Sequence, residues 1–198
     1  MTIWYLARAA GLVALIAFTA STVLGALGSR IPAGTDTVRL DRRFLTQMAH
    51  RSAAVTGLLM LLTHVTLIVL DTYVAVSVGG ALIPFTAGFR PLALGAGTIA
   101  VYLFVLVAMS GALRGRLATS AAAARRWRVV HLSAYAGWAL SMGHGIFSGT
   151  DTGTWWSTAI YVACGLAVAI ALVVRLRSER TQRSLPLTAA RSLVRSSS

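Results

Sequence analysis

The sequence predicts an all-α integral membrane fold, a bundle of about five transmembrane helices, and three observations carry that expectation. Hydrophobic residues make up 57% of the 198 and charged residues 12%, with a mean hydropathy of +0.75; soluble domains hold about 25% charged residues. The apolar residues fall in runs of about 20, long enough to cross a hydrocarbon core about 30 Å thick. The basic residues gather at the ends of those runs. Lipid cannot satisfy exposed backbone polar groups, and the runs do not alternate as barrel strands would, so helix is the expected form.

The first span runs from about Ile3 to Leu27. Its basic residue, apolar stretch and the small Ala26 and Gly28 also fit a signal peptide, but the apolar run Ala9–Leu27 exceeds the core of about 7–15 residues usual in such signals. It is read as a retained helix. The second span runs from about Leu45 to Leu70, the third from Leu92 to Leu113, the fourth from Trp127 to Phe147 and the fifth from Trp155 to Val174. Residues 1–175 are expected to form one transmembrane domain. Residues 176–198, rich in Ser and Arg, are expected to be a basic cytoplasmic tail, disordered or lying on lipid headgroups. The semi-apolar connection from Asp71 to Pro91 is expected to cap the outer interface. No internal repeat is visible beyond the histidine pattern below.

Arginine placement sets the expected orientation. Arg30, Arg39, Arg42 and Arg43 lie between the first two spans, Arg114, Arg116, Arg125 and Arg126 between the third and fourth, and six more from Arg175 onward. The connection between the fourth and fifth spans has no basic residue and one acid, Asp151. An outside N-terminus and a cytoplasmic C-terminus in the cell membrane satisfy every loop, with Arg8 the one residue against. The net charge of +13 is therefore read as topology signals and contacts with anionic lipid. Nucleic acid is not an expected partner, because no basic stretch carries interleaved aromatics on a soluble fold. The single cysteine, Cys164, lies in an apolar run and is read as packing.

All four histidines fall within spans: His50 and His64 in the second, His131 and His144 in the fourth. Ionisable groups inside a membrane are costly and point to function. The first pair is 14 residues apart and the second 13, about 21 and 20 Å along a helix. Two crossings separate these spans, so they run parallel, and His50 should face His131 while His64 faces His144. Depth agrees, since His64 lies seven residues before Asp71 and His144 seven before Asp151. On the second span both rings share one face, with Gly57 midway. On the fourth, the 13-residue offset turns the second ring out of phase, and Gly137, Gly143 and Gly145 are candidates for a local distortion. A structural zinc site needs four close ligands, which pairs about 20 Å apart cannot supply. Two imidazoles from parallel helices can instead fill both axial positions of a haem iron, a site suited to electron transfer.

These residues resemble the ferric reductase-like transmembrane domain, a family that includes the membrane part of the NADPH oxidases and the haem-binding subunit of the periplasmic methionine sulfoxide reductase system. The matching stretches are WYLARAAGLVAL at 4–15, AHRSAAVTGLLMLLTHVTLIVLDTYV at 49–74 and WRVVHLSAYAGWALSMGHGIFSGTDT at 127–152. The resemblance covers about residues 3–175, and the paired histidines are its specific part. It implies two b-type haems between the second and fourth helices, held by His50 with His131 and His64 with His144, and electron transfer from the cytoplasmic to the outer side. Larger relatives have six helices and a flavin- and nicotinamide-binding domain. The short stretch after the fifth span carries no GxGxxG motif, so a separate donor is expected: a flavoprotein, a quinol or a loosely bound flavin. A ferric complex or a periplasmic protein is the expected acceptor, and oxygen a third.

Arg8, near the outer end of the first span, is a candidate partner for an outer haem propionate or a snorkelling residue. Arg51 and Arg128 are candidates for the inner propionates or interfacial anchors. Trp138 and Gly137 are placed to line the gap between the haems. Trp127, Trp155 and Trp156 read as an aromatic belt, and Asp71 and Asp151 as helix-end residues. The competing reading is a haem-free transporter using the histidines as transient metal ligands. That reading predicts polar residues or broken helices at the midplane, where the third span offers only Thr98, Tyr102 and Ser110.

Overall fold

The computed structural model describes residues 2–28, 37–72 and 76–196, with side chains through Ser178. Arg30 lies outside the described residues. The helices are α1 (Thr2–Gly28), α2 (Thr37–Leu70), α3 (Val78–Leu82), α4 (Pro91–Ala112), α5 (Arg114–Leu117), α6 (Ala121–Ser148) and α7 (Trp155–Ser196). Among the described residues the only β feature is an isolated bridge between Thr152 and Thr154. The all-helical class expected from composition is what the chain adopts.

Four helices are long and apolar enough to cross a membrane: α1, α2, α4 and the Trp155–Ser178 part of α7. The fourth expected span falls on α6, which has the length at 28 residues but not the apolar content of the others. Arg125, Arg126, Arg128, two histidines and three serines dilute it. Large hydrophobics such as Leu59, Leu62, Val105, Met109, Val162 and Leu166 stay exposed along the bundle, as a lipid-facing surface requires. α7 continues as helix past Val174, the expected end of its span.

α1 packs along α2, α4 along α6, and α7 lies against α1. Small residues allow this: Ala7, Ala10 and Ala14 of α1 are buried, with Leu15 and Phe18 on the same helix. Small side chains let backbones approach closely where lipid gives no hydrophobic drive to associate. A Cβ on Gly57 of α2 would stand 2.8 Å from the Phe18 ring, and one on Gly137 of α6 would stand 3.2 Å from Leu103. Phe18 and Phe104 stack, and with Ala14 and Ala100 they form the buried centre, surrounded by Leu58, Leu61, Trp138 and Leu140.

The two hairpins share a register that the sequence reading missed. Ala7, Ala10, Gly11, Ala14, Phe18 and Gly25 of α1 recur 86 residues later in α4 as Ala93, Ala96, Gly97, Ala100, Phe104 and Gly111. The chain therefore does hold a repeat besides the histidines. In apolar helices rich in Ala and Gly, six shared positions are hidden until the packing shows which face they occupy.

The connection between α2 and α4 folds back on α4 and on the end of α6. Thr98 Oγ1 donates to Ala81 O (3.0 Å), the Tyr102 hydroxyl donates to Leu82 O, and Arg90 donates to Phe147 O (2.5 Å). Val76, Ala87 and Asp71 are buried there. Phe85 holds a φ of 68° and its ring fills the space a side chain on Gly95 would need. A residue other than glycine at 95 would expel it.

Candidate functional site

Each histidine is aimed by the helix its own helix packs against. α1 orients the two on α2: His50 Nδ1 lies 2.9 Å from Ser21 O and 3.1 Å from Ser21 Oγ, and His64 Nδ1 lies 2.7 Å from Ala7 O. α4 orients the two on α6: His144 Nδ1 lies 2.9 Å from Ala93 O, and His131 Nδ1 lies 3.1 Å from Ser110 Oγ. A carbonyl only accepts, so Nδ1 of His50, His64 and His144 carries the proton. The Ser110 hydroxyl donates to Val107 O (2.7 Å), so its oxygen accepts from His131 in the same way. All four rings are thereby held as the tautomer whose Nε2 keeps a free lone pair, the form that binds a metal.

The rings meet in the pairs expected from spacing. His50 and His131 have ring centres 6.3 Å apart with planes at 62°, and His64 and His144 have centres 6.2 Å apart at 78°. A metal held in line between the two Nε2 atoms would set ring centres about 6.2–6.4 Å apart, from metal–nitrogen bonds of about 2.0–2.1 Å and about 1.1 Å from nitrogen to ring centre. Both pairs meet that separation. α6 is one continuous helix through His131 and His144, so the 13-residue offset is accommodated within an unbroken helix. Among the described residues no three of His, Cys, Asp and Glu come together. The histidines act in twos.

The His64–His144 pair lines a cavity that Gly11, Gly97, Phe18, Phe104, Arg8, Asp151 and Trp156 also line. Arg8 forms an ion pair with Asp151 and lies 5.8 Å from the ring centres of Trp4 and Tyr5. Arg8 thus turns to the α6–α7 connection, and Asp151, read as a helix-end residue, is its partner in the cavity lining. Trp156 faces this cavity, unlike the exposed Trp155, which suits a belt.

At the other pair, Arg51 and Arg128 are exposed. Two residues stand closer to the chemistry. Trp127 stacks on His131 with ring centres 5.0 Å apart and planes at 20°, its Nε1 donates to Ser110 O (2.8 Å), and Arg114 lies 4.9 Å over its ring. Trp127 therefore braces a site histidine and is not only a belt residue. Its position four residues before His131, one helical turn, was the available signal. Trp138 donates to Thr19 Oγ1 (2.9 Å) beside the Phe18–Phe104 stack, between the two pairs.

No family model, curated protein or solved structure matches the chain. Its class rests on its own geometry: a helical membrane protein with two histidine pairs at different depths of one bundle.

Proposed function

We propose that the chain carries electrons across a membrane through two b-type haems, one between His50 and His131 and one between His64 and His144, as the resemblance to ferric reductase-like domains implies. The observation that carries this reading is the paired separation of 6.3 and 6.2 Å with every Nδ1 engaged. His50 with His131 and His64 with His144 would each hold one haem, and no third protein ligand stands near either pair among the described residues. When bound, haem would supply a one-electron couple for electron transfer. The chain's part is to fix the rings, keep Nε2 unprotonated and exclude water with the Phe18–Phe104 core.

The arginine-rich connections lie at the His50–His131 end and the Asp151 connection at the other. With the positive-inside bias, electrons enter at the His50–His131 end from a separate flavoprotein or quinol and leave at the His64–His144 end to a ferric complex or periplasmic protein. The test is a proteoliposome with ferricyanide trapped inside and dithionite outside. Ferricyanide loss that depends on the protein, and drops to the rate of empty liposomes in His64→Ala and His50→Ala, supports the reading. Equal loss in the wild type and empty liposomes contradicts it.

A further inference from the structure

In an α-helix the carbonyl of residue i already accepts from the N–H of i+4, and its second lone pair is within reach of the i+4 side chain. This chain shows that reach directly: Thr19, Thr63 and Thr98 each donate to the carbonyl four residues back. The three carbonyls that accept from histidines belong to Ala7, Ser21 and Ala93. Four residues after each stands a glycine, Gly11, Gly25 and Gly97. A Cβ there would lie 2.8 Å from His64 Nδ1, 3.2 Å from the His50 ring and 2.6 Å from His144 Nδ1. At Gly11 and Gly97 it would press on the donor nitrogen itself, and at Gly25 it would crowd the ring more mildly, 3.4 Å from His50 Nδ1.

We propose that Gly11, Gly25 and Gly97 are positioning residues. Each leaves a helical carbonyl uncovered so that it takes a second hydrogen bond, from the site histidine, and so fixes that ring's tautomer. The fourth position is the variation on this rule: Gly111, four after Val107, would bring a Cβ only to 3.5 Å from His131, and the Ser110 hydroxyl relays between that ring and Val107 O. The role of the rings rests on the haem reading, but the hydrogen bonds do not require it. Their proton position is therefore the quantity to measure.

The experiment is ¹⁵N-histidine NMR on the purified, dithionite-reduced protein, in which low-spin ferrous haem is diamagnetic and haem-free chain is equally readable. Four Nδ1–H signals are expected in the wild type. Gly97→Ala should remove the protected Nδ1–H of His144 alone, and Gly11→Ala that of His64 alone, with exchange faster by roughly tenfold or more, the loss of about one net hydrogen bond. Gly25→Ala, the milder change, should shift His50 and covers the case in which the tighter variants do not fold. Gly143→Ala, whose added Cβ meets nothing within 4 Å, should shift none. Glycine variants that leave all four signals as Gly143→Ala does would overturn the proposal. A colourless protein showing the expected shifts would contradict the haem reading while sustaining this one.

Discussion

Phe18 of α1 and Phe104 of α4 lie face to face, with ring centres 3.8 Å apart and planes within 7° of parallel. Each sits midway between two repeat-matched glycines of its helix, Gly11 and Gly25 or Gly97 and Gly111. The stack is thus where the two repeated hairpins meet, and it separates one histidine pair from the other. Phe18 is held from behind by Gly57, where a Cβ would approach the ring to 2.8 Å. Gly57→Val should overpack this centre and cost about 1–3 kcal/mol, read as a lower midpoint of thermal unfolding in detergent. An unchanged midpoint would show that the stack can slide.

Arg8 and Asp151, both in the lining of the His64–His144 cavity, tie the start of α1 to the α6–α7 connection. The pair is partly buried, so breaking it should cost less than the 3–5 kcal/mol of a fully buried pair and more than a surface one. Arg8→Gln and Asp151→Asn are each expected to cost about 1–3 kcal/mol, and the double variant less than the two costs added, because neither leaves an orphan charge. Strict additivity in a double-mutant cycle would argue that the two do not interact.

Trp127 joins a ring stack on His131 to a hydrogen bond on Ser110 O. Trp127→Phe keeps a stack and loses the bond, for about 1 kcal/mol; Trp127→Leu loses both, for about 1–3 kcal/mol. The electron paramagnetic resonance signal of the His50–His131 site should change in the order Leu over Phe, with the His64–His144 signal constant. Equal change at both sites would mean that Trp127 acts on the whole fold.

How much of this was legible in the sequence follows from what each signal encodes. Apolar runs report length and depth, so four spans and the pairing of His50 with His131 and His64 with His144 could be read from residue counts. Depth says nothing of direction around a helix axis. Trp127 was therefore placed at the right level and assigned to lipid, although it turns to His131. Arg8 and Asp151 were likewise read singly, because no count places residues 8 and 151 together. The carbonyl acceptors carry no side-chain signature, and only the glycine four residues later marks them. α6 looked like its neighbours as a run, but the polar residues it brings to the site lower its hydropathy below theirs.

The central claim is most directly tested by counting haem in protein made with ample haem precursor and recording its oxidised and reduced spectra. The account predicts about two low-spin haems per chain, falling to about one in His64→Ala, in His144→Ala and in the two combined, because a pair missing either ring is already lost. A wild-type protein without haem, or single variants that retain both, would contradict it.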